Sequence, residues 1–281
     1  MERVSRPLSF LRQKGNKKMQ KKSFIWYIKK FFYWLFIGIL LFILSYSALN
    51  LYSIYSKKEV SHKAKKTLES KVIDKEDKYL EPDWEALKKI NPDIIGWIYI
   101  PDTNINYPVV QKKGNNSYYL NVNAMLGYDE MGAIFLDAFT DPEFKAQNSV
   151  IYGHSVIGGG MFTDIKKFGL ADFFKNHPYY YLLTPEKNYK CNIYTFAKTN
   201  SDSIYYLPNP SNAELKSMES KATYSRTLDE LNWDGFDSET IHGNNIVTLS
   251  TCDLNYGLDS DRRLILNGFL EDYEGKVKIN E

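Results

Sequence analysis

Hydrophobic residues follow two different patterns along this chain, one continuous and one broken into short runs. The continuous run comes first: no charged residue occurs from Phe31 to Ser56, and its first part, FFYWLFIGILLFIL, is almost wholly apolar. A helix of roughly 20 such residues, rising ~1.5 Å per residue, crosses the ~30 Å hydrocarbon layer of a bilayer. We therefore expect a transmembrane anchor at residues 31–52.

The residues before this run indicate its orientation. Residues 1–30 contain ten of the 36 basic residues and a single acidic one, Glu2. The positive-inside rule then predicts a cytoplasmic basic tail at 1–30 and an extracellular position for everything after the anchor. The alternative is a cleaved signal peptide, because Ser45-Tyr46-Ser47 is a small-x-small triplet. An uncleaved anchor is favoured because the apolar run continues beyond that triplet, through Leu49, Leu51 and Ile54.

After the predicted anchor, a highly charged segment precedes a longer segment of different composition. Residues 57–80 have few large apolar side chains, so we expect 53–80 to form a solvated spacer or helix. From residue 81 to residue 281 the composition is that of a folded domain. This predicts four segments, namely tail, anchor, spacer and domain.

Short apolar runs rich in Ile, Val, Tyr and Phe, bounded by Gly, Pro, Asn or Asp, fill this domain. Eight of them read as strands, and their spacing favours a mainly β barrel or sandwich with peripheral helices over alternating β-α units. The predicted strands are 94–100, 105–111, 132–137, 149–155, 179–185, 190–198, 245–252 and 263–270.

Two helices are predicted from their capping residues. In EPDWEALKKINPD, Asp83 is the expected N-cap and Asn91-Pro92 the stop. In the segment 210–231, Ser211 is followed three residues later by Glu214, which is the pattern of a capping box. The second helix would lie between two late strands.

Several classes of function are not supported. Beyond residue 30 there are 26 basic and 33 acidic residues, so no nucleic-acid surface is expected. No metal-ligand spacing occurs, and the GGG at 158–160 lacks the Lys-Ser/Thr of a phosphate loop, so we expect no metal and no cofactor. The two cysteines, Cys191 and Cys252, do not make a disulfide framework, and Cys191 reads as a small buried hydrophobic residue.

The remaining chemistry is nucleophilic catalysis by Cys252, which ends an apolar strand. A thiol needs a neighbouring base or cation to react at neutral pH. Of the four histidines, His154 is the best candidate because it ends the strand VIYGHS and precedes a glycine-rich loop. An arginine could hold a substrate carbonyl or an oxyanion. Arg262 and Arg263 should point to opposite faces of the sheet, and alternation does not choose between them. The other histidines are His62, in the charged spacer, and His177 and His242, in turns.

The sequence also resembles a known family. TLSTC followed by an arginine at the tenth position after the cysteine is similar to the active-site strand of sortases, the membrane-bound transpeptidases of Gram-positive bacteria. GWIYIPDTNINYPVVQ (96–111), GAIFLD (132–137) and SVIYGHS (149–155) resemble the class B pattern, and the likeness spans about 81–270.

This resemblance implies an eight-stranded β-barrel with peripheral helices and assigns roles to particular residues. Cys252 would be the nucleophile, His154 the general acid/base and Arg262 the oxyanion or substrate clamp, since the family spacing selects it over Arg263. Ser250 and Thr251 would be minor substrate contacts.

The resemblance further implies the reaction and its partners. The thiolate would attack the threonine carbonyl of a sorting signal near the C-terminus of a secreted protein, and an amine of the peptidoglycan precursor would resolve the thioester near the membrane lipid. Three alternatives stay open: a cysteine endopeptidase with water as acceptor, a pilin-joining transpeptidase, and a silent membrane-tethered binding domain.

Overall fold

In the computed structural model the chain divides into two compact units. The units are Met1–Tyr55 and Ser56–Glu281. Helix α1 (Phe24–Glu69) begins in the first unit and ends in the second. Its apolar part is exposed, and among the described residues it is the one helix long and apolar enough to cross a membrane, which confirms the predicted N-terminal apolar helix. The described residues are 24–74, 78–226, 245–257 and 260–279.

The second unit contains a closed eight-stranded barrel. The strands of this unit are β1 (Tyr79–Leu80), β2 (Ile94–Tyr99), β3 (Asn106–Val110), β4 (Ile134–Leu136), β5 (Asn148–Tyr152), β6 (Tyr179–Leu183), β7 (Asn188–Asn200), β8 (Tyr224–Ser225), β9 (Ile246–Cys252), β10 (Arg262–Tyr273) and β11 (Val277–Lys278). The barrel strands follow the order β10-β9-β5-β4-β3-β2-β6-β7, and β10 also pairs with β7, which closes the sheet. The pairs β3–β4 and β5–β9 are parallel and the others antiparallel. All eight predicted strands are present, and the expected barrel is confirmed.

Among the residues that the structure describes, three further α-helices lie around the barrel: α2 (Trp84–Ile90), α3 (Ala171–Asn176) and α4 (Asn212–Lys221). As predicted, the Asp83 side chain caps α2 by accepting a hydrogen bond from the Ala86 N–H at 2.9 Å. Ser211 and Glu214 form the predicted capping box of α4. That helix ends at Lys221, earlier than predicted, because the chain then pairs with β7 as the short strand β8. The last residues of the predicted helix, 227–231, lie outside the described residues.

Apolar clusters cover both faces of the sheet near β9 and β10. On β10, Leu264 and Leu266 point into the barrel core, whereas Ile265 packs on the outer face with Leu215 and Met218 of α4. Alternation along a strand marks a buried face only when the other face is solvated. The apolar residues of β10 therefore give no sign of which face carries the functional arginine.

The charged segment after the apolar run is less solvated than its composition predicts. Leu68, near the end of α1, and Val72 are buried in a second apolar cluster with Leu87 and Trp97. These two residues are buried because their apolar side chains pack into this cluster, while charged neighbours such as Lys66 stay exposed.

Candidate active site

The cavity that contains the predicted site residues lies where β5, β9 and β10 end or begin. It has a volume of about 340 Å³, and Cys252, His154 and Arg263 all line it. Cys252 is the last residue of β9, His154 follows β5 by two residues, and Arg263 is the second residue of β10. The site is therefore built on strand ends of the barrel, with no contribution from α2 or α4 to its lining.

The pairing of β5 with β9 explains why His154 lies near Cys252. These strands are parallel, and Tyr152 is the register partner of Ser250. Two further residues along each strand lead to His154 and Cys252. Neighbouring strands lie ~4.8 Å apart, so a matched step along both strands brings the imidazole and the thiol to one edge of the barrel.

The two cysteines have opposite environments, and neither is in a disulfide. Cys191 is completely buried in the barrel core, and burial raises the pKa of its thiol well above the usual range. Cys252 is partly exposed in the cavity. Thiolate formation is required for attack, so Cys252 is the cysteine suited to act as a nucleophile.

His154 is held by the backbone of a neighbouring loop. Its Nε2 lies 3.0 Å from the carbonyl oxygen of Leu120, at the end of a 3₁₀ turn. A carbonyl only accepts, so Nε2 carries the proton, and in the neutral imidazole Nδ1 is the basic nitrogen.

The other histidines lie elsewhere. His62 is exposed on α1, and the His177 ring lies between the Asp102 carboxylate at 3.0 Å and the Phe173 carbonyl at 2.8 Å. Neither of them lines the cavity. His242 lies outside the described residues.

The arginine in the cavity is Arg263, where the family spacing predicted Arg262. In the β9–β10 ladder, Arg263 is the direct partner of Cys252. Directly opposed residues of an antiparallel pair point to the same face, so Arg263 shares the face of the thiol and Arg262 does not. The guanidinium of Arg262 instead lies 5.4 Å from the ring centroid of Tyr256, and its side chain is exposed. The ladder register, and not the number of residues in the loop, decides which arginine side chain faces Cys252.

Part of the Arg263 guanidinium is fixed by the loop that precedes β10. Its Nη1 donates to the carbonyl oxygens of Ser260 at 2.9 Å and Arg262 at 3.0 Å. A guanidinium has five N–H donors, so Nε and Nη2 retain three that these two bonds do not use. Loop carbonyls thus orient a cation that keeps donors for a substrate oxygen.

Ser250 and Thr251 both line the cavity, and both hydroxyls already have partners. Ser250 Oγ shares a hydrogen bond of 2.8 Å with the Tyr206 hydroxyl, and Thr251 Oγ1 shares one of 3.0 Å with Ser155 Oγ. Because Ser155 directly follows His154, Thr251 ties the histidine segment to β9. Each residue therefore has a structural role in the wall of the cavity.

An aromatic wall completes the cavity, and sequence reasoning missed it. The rings of Tyr152 and Tyr206 are stacked with centroids 6.3 Å apart, and Phe135 lies 5.4 Å from Tyr152. Burial raises the pKa of Tyr206, and the Ser250 hydrogen bond and the charge of Arg263 partly offset this effect. Tyr206 belongs to a 3₁₀ turn after β7, where no periodic pattern indicates that its ring faces a strand end.

No group of three or more histidine, cysteine or carboxylate side chains that could hold a metal ion occurs within the ranges that the structure describes.

The closed barrel and the cavity together define a class of protein, a β-barrel enzyme built around an accessible cysteine. The sortase domain model matches residues 98–271, more than half of the 281 residues. The chain therefore belongs to the sortase family of cysteine transpeptidases, and its relatives place it in class B.

Three of these relatives show the extent of the similarity. Sortase B of Listeria monocytogenes is 32% identical over 185 residues, which cover 64% of this chain and 70% of that protein. The structure of Clostridium perfringens sortase B is 29% identical with a TM-score of 0.58, and the match covers 68% of this chain and 100% of that one. A Staphylococcus aureus sortase B–substrate complex is 25% identical with a TM-score of 0.59, covering 68% and 85%.

Proposed function

We propose that this chain is a membrane-anchored transpeptidase that cleaves the C-terminal sorting signal of secreted proteins after a threonine and joins the new carboxyl end to a peptidoglycan amine. The observation that carries this proposal is the strand register, which brings Cys252, His154 and Arg263 into one cavity. In this proposal Arg263, and not Arg262, is the catalytic arginine.

The first half of the reaction forms a thioester. His154 takes the proton of the Cys252 thiol, and the sulfur attacks the carbonyl carbon of the substrate threonine. The carbonyl oxygen becomes an oxyanion, which accepts hydrogen bonds from the free donors of Arg263. When the peptide bond breaks, His154 returns its proton to the departing amine, and the acyl group stays on the sulfur.

The second half transfers the acyl group. An amine of the peptidoglycan precursor attacks the thioester, and His154 accepts the proton that the amine loses. The carbon–sulfur bond then breaks, so that a new amide forms and the Cys252 thiolate is regenerated. Throughout both halves the Nε2–H of His154 can remain bound to the Leu120 carbonyl while Nδ1 gains and loses the proton.

The walls of the cavity support a peptide substrate. Tyr152, Tyr206 and Phe135 provide an apolar surface beside the thiol. Ser250 and Thr251 each already use one hydrogen-bonding site of their hydroxyl on a neighbouring side chain, so they contribute only the sites that remain. That the S. aureus relative forms a complex with a substrate supports a peptide-binding role for the corresponding groove here.

The membrane anchor fits this activity. We place residues 1–30 in the cytoplasm, the anchor at 31–52, the segment 53–80 next to the outer membrane surface and the catalytic domain at 81–281 outside the cell. A secreted protein and a lipid-linked wall precursor are both confined near the membrane. Tethering the enzyme there raises the effective concentration of each substrate.

The test uses the full-length chain in detergent with a panel of Thr-Gly and Thr-Asn sorting-type peptides, analysed by mass spectrometry. We expect a covalent acyl adduct on Cys252 that is absent in Cys252→Ala and is transferred to an added diamine. An adduct released only to water would identify an endopeptidase, and transfer to a pilin lysine but not to a wall-type amine would identify pilus assembly. Full cleavage by Cys252→Ala would refute the proposed mechanism.

A further inference from the structure

A second cavity, of about 370 Å³, lies in the second unit between the end of α1 and the barrel. One face of α1 forms one wall, because Lys58, Ser61, His62, Lys65 and Glu69 follow one another at helical spacing. Across from them are Tyr107 and the glycine-rich loop 158–160. None of these residues lines the cavity at Cys252.

The polar groups of this cavity are mostly donors. Lys58 Nζ donates to the Gly158 carbonyl at 2.9 Å, and Lys65 Nζ donates to the Asn104 carbonyl at 3.1 Å. Lys65 also lies 3.6 Å from the Glu69 carboxylate. Each ammonium has three N–H donors, so Lys58 retains two and Lys65 one beyond these contacts.

Hydroxyl groups add to this donor set. The Tyr107 oxygen accepts a hydrogen bond from the Met161 N–H at 3.0 Å, which leaves its own O–H to donate. The Ser61 hydroxyl lies on the same wall as the two lysines. The side chains that line the cavity carry two ammonium groups and one carboxylate, so their net charge is positive even when His62 is neutral. Such a set of donors around an open volume suits an oxyanion with several acceptor oxygens.

Sequence distance indicates where that anion would come from. Lys58 follows Ser56, the end of the uncharged run, by two residues, so their Cα atoms are at most about 7 Å apart. If the run spans the bilayer, the chain leaves it within a few residues of Lys58, close to the lipid head groups, where the abundant anion is phosphate.

We propose that this cavity binds a phosphate group, supplied by an anionic lipid head group at the outer membrane surface. The proposal depends on the proposed membrane anchoring only for the source of the phosphate, and it does not depend on the chemistry at Cys252. Bound phosphate would connect α1 to the loop that follows His154, at the point where Lys58 already contacts Gly158.

The experiment measures binding by isothermal titration calorimetry to the full-length chain in a phosphate-free maltoside detergent. One arm uses dihexanoylphosphatidylglycerol and the other inorganic phosphate. We expect saturable binding of the lipid, weakened about tenfold or more in the double variant K58Q/K65Q through loss of charge-assisted hydrogen bonds. The matched control is K63Q/K66Q, which makes the same change in charge on exposed positions of the same helix and should alter affinity by less than about twofold.

The single variant K58Q is a control for loss of structure. It is needed because Lys65 Nζ also lies 4.3 Å from the Tyr107 ring centroid, so replacing Lys65 could disturb packing. K58Q alone should weaken lipid binding several-fold while the thermal unfolding temperature stays within a few degrees of wild type. Tighter binding of lipid than of phosphate supports the head-group source, whereas equal affinities would overturn that source. Absence of binding in both arms, or equal losses in K58Q/K65Q and K63Q/K66Q, would overturn the site. Peptide cleavage in the same samples reports separately on the site at Cys252.

Discussion

Replacing Arg262 and Arg263 one at a time tests which of the two arginines binds the oxyanion. Arg263 is the ladder partner of Cys252, whereas Arg262 is exposed next to Tyr256. We therefore expect Arg263→Gln to abolish most activity and Arg262→Gln to leave it nearly unchanged.

The magnitude follows from the donors that Arg263 has left. Its Nη1 is occupied by two loop carbonyls, so three N–H groups remain for the oxyanion. Loss of one oxyanion donor costs about 10²–10³ in kcat, or about 2.7–4 kcal/mol. Arg263→Gln should thus lower kcat at least about 10²-fold. Arg263→Lys keeps the positive charge but loses the planar set of N–H donors, so its kcat should lie between those of wild type and Arg263→Gln.

The assay is steady-state cleavage of a quenched fluorescent sorting-type peptide, with thermal unfolding measured on every variant. Arg263→Gln also frees the carbonyls of Ser260 and Arg262, which can lower stability by about 1 kcal/mol without changing kcat in the folded fraction. A large loss of kcat in Arg262→Gln together with a nearly normal Arg263→Gln would refute the register argument and restore the assignment made from spacing.

Three further predictions test other parts of the structure. In the folded chain, iodoacetamide should label Cys252 and leave the fully buried Cys191 unmodified, as peptide mass mapping would show; labelling of both would contradict the burial. Burial raises the pKa of Asp164, but the hydrogen bonds from Asn104 together with the charge and hydrogen bond of Lys167 outweigh this and lower the pKa below 3.8. The contribution of Asp164 to stability is therefore present above pH 3.8 and is lost as the pH falls through the lower folded pKa. The free energy of unfolding, measured by urea titration, should therefore fall more steeply with decreasing pH below about pH 4 in wild type than in Asp164→Asn. Identical pH profiles of the two proteins would contradict this prediction. Leu68→Ala should lower the free energy of unfolding by about 2–5 kcal/mol, measured in the same way, and a change below about 0.5 kcal/mol would show that the end of α1 is not docked.

Much of the fold was predictable because its signals are local. β-Branched and aromatic runs between turn residues marked all eight barrel strands, and the side chains of Asp83 and Ser211 cap the helices where the sequence placed them. A cap needs only a residue and the three that follow it, so the sequence contains the whole motif.

The features that the sequence does not reveal depend on contacts between distant segments. Arg263 faces the thiol because of the β9–β10 register, and both faces of β10 are apolar, so no pattern within the strand identifies it. Tyr206 reaches the site through a hydrogen bond to Ser250, 44 residues away. Leu68 is surrounded by charged residues along the chain, and its burial depends on the cluster that receives it.

The parallel pairing of β5 with β9 has a consequence for how the enzyme matures. Its register joins Tyr152 to Ser250, so the two strands that carry the histidine and the cysteine meet only after a long stretch of chain has been ordered. Contacts of this sequence separation form slowly, because the entropy of closing a large loop must be overcome before any pairing rewards it. The imidazole of His154 and the thiol of Cys252 should therefore come together only late in folding, when the barrel closes.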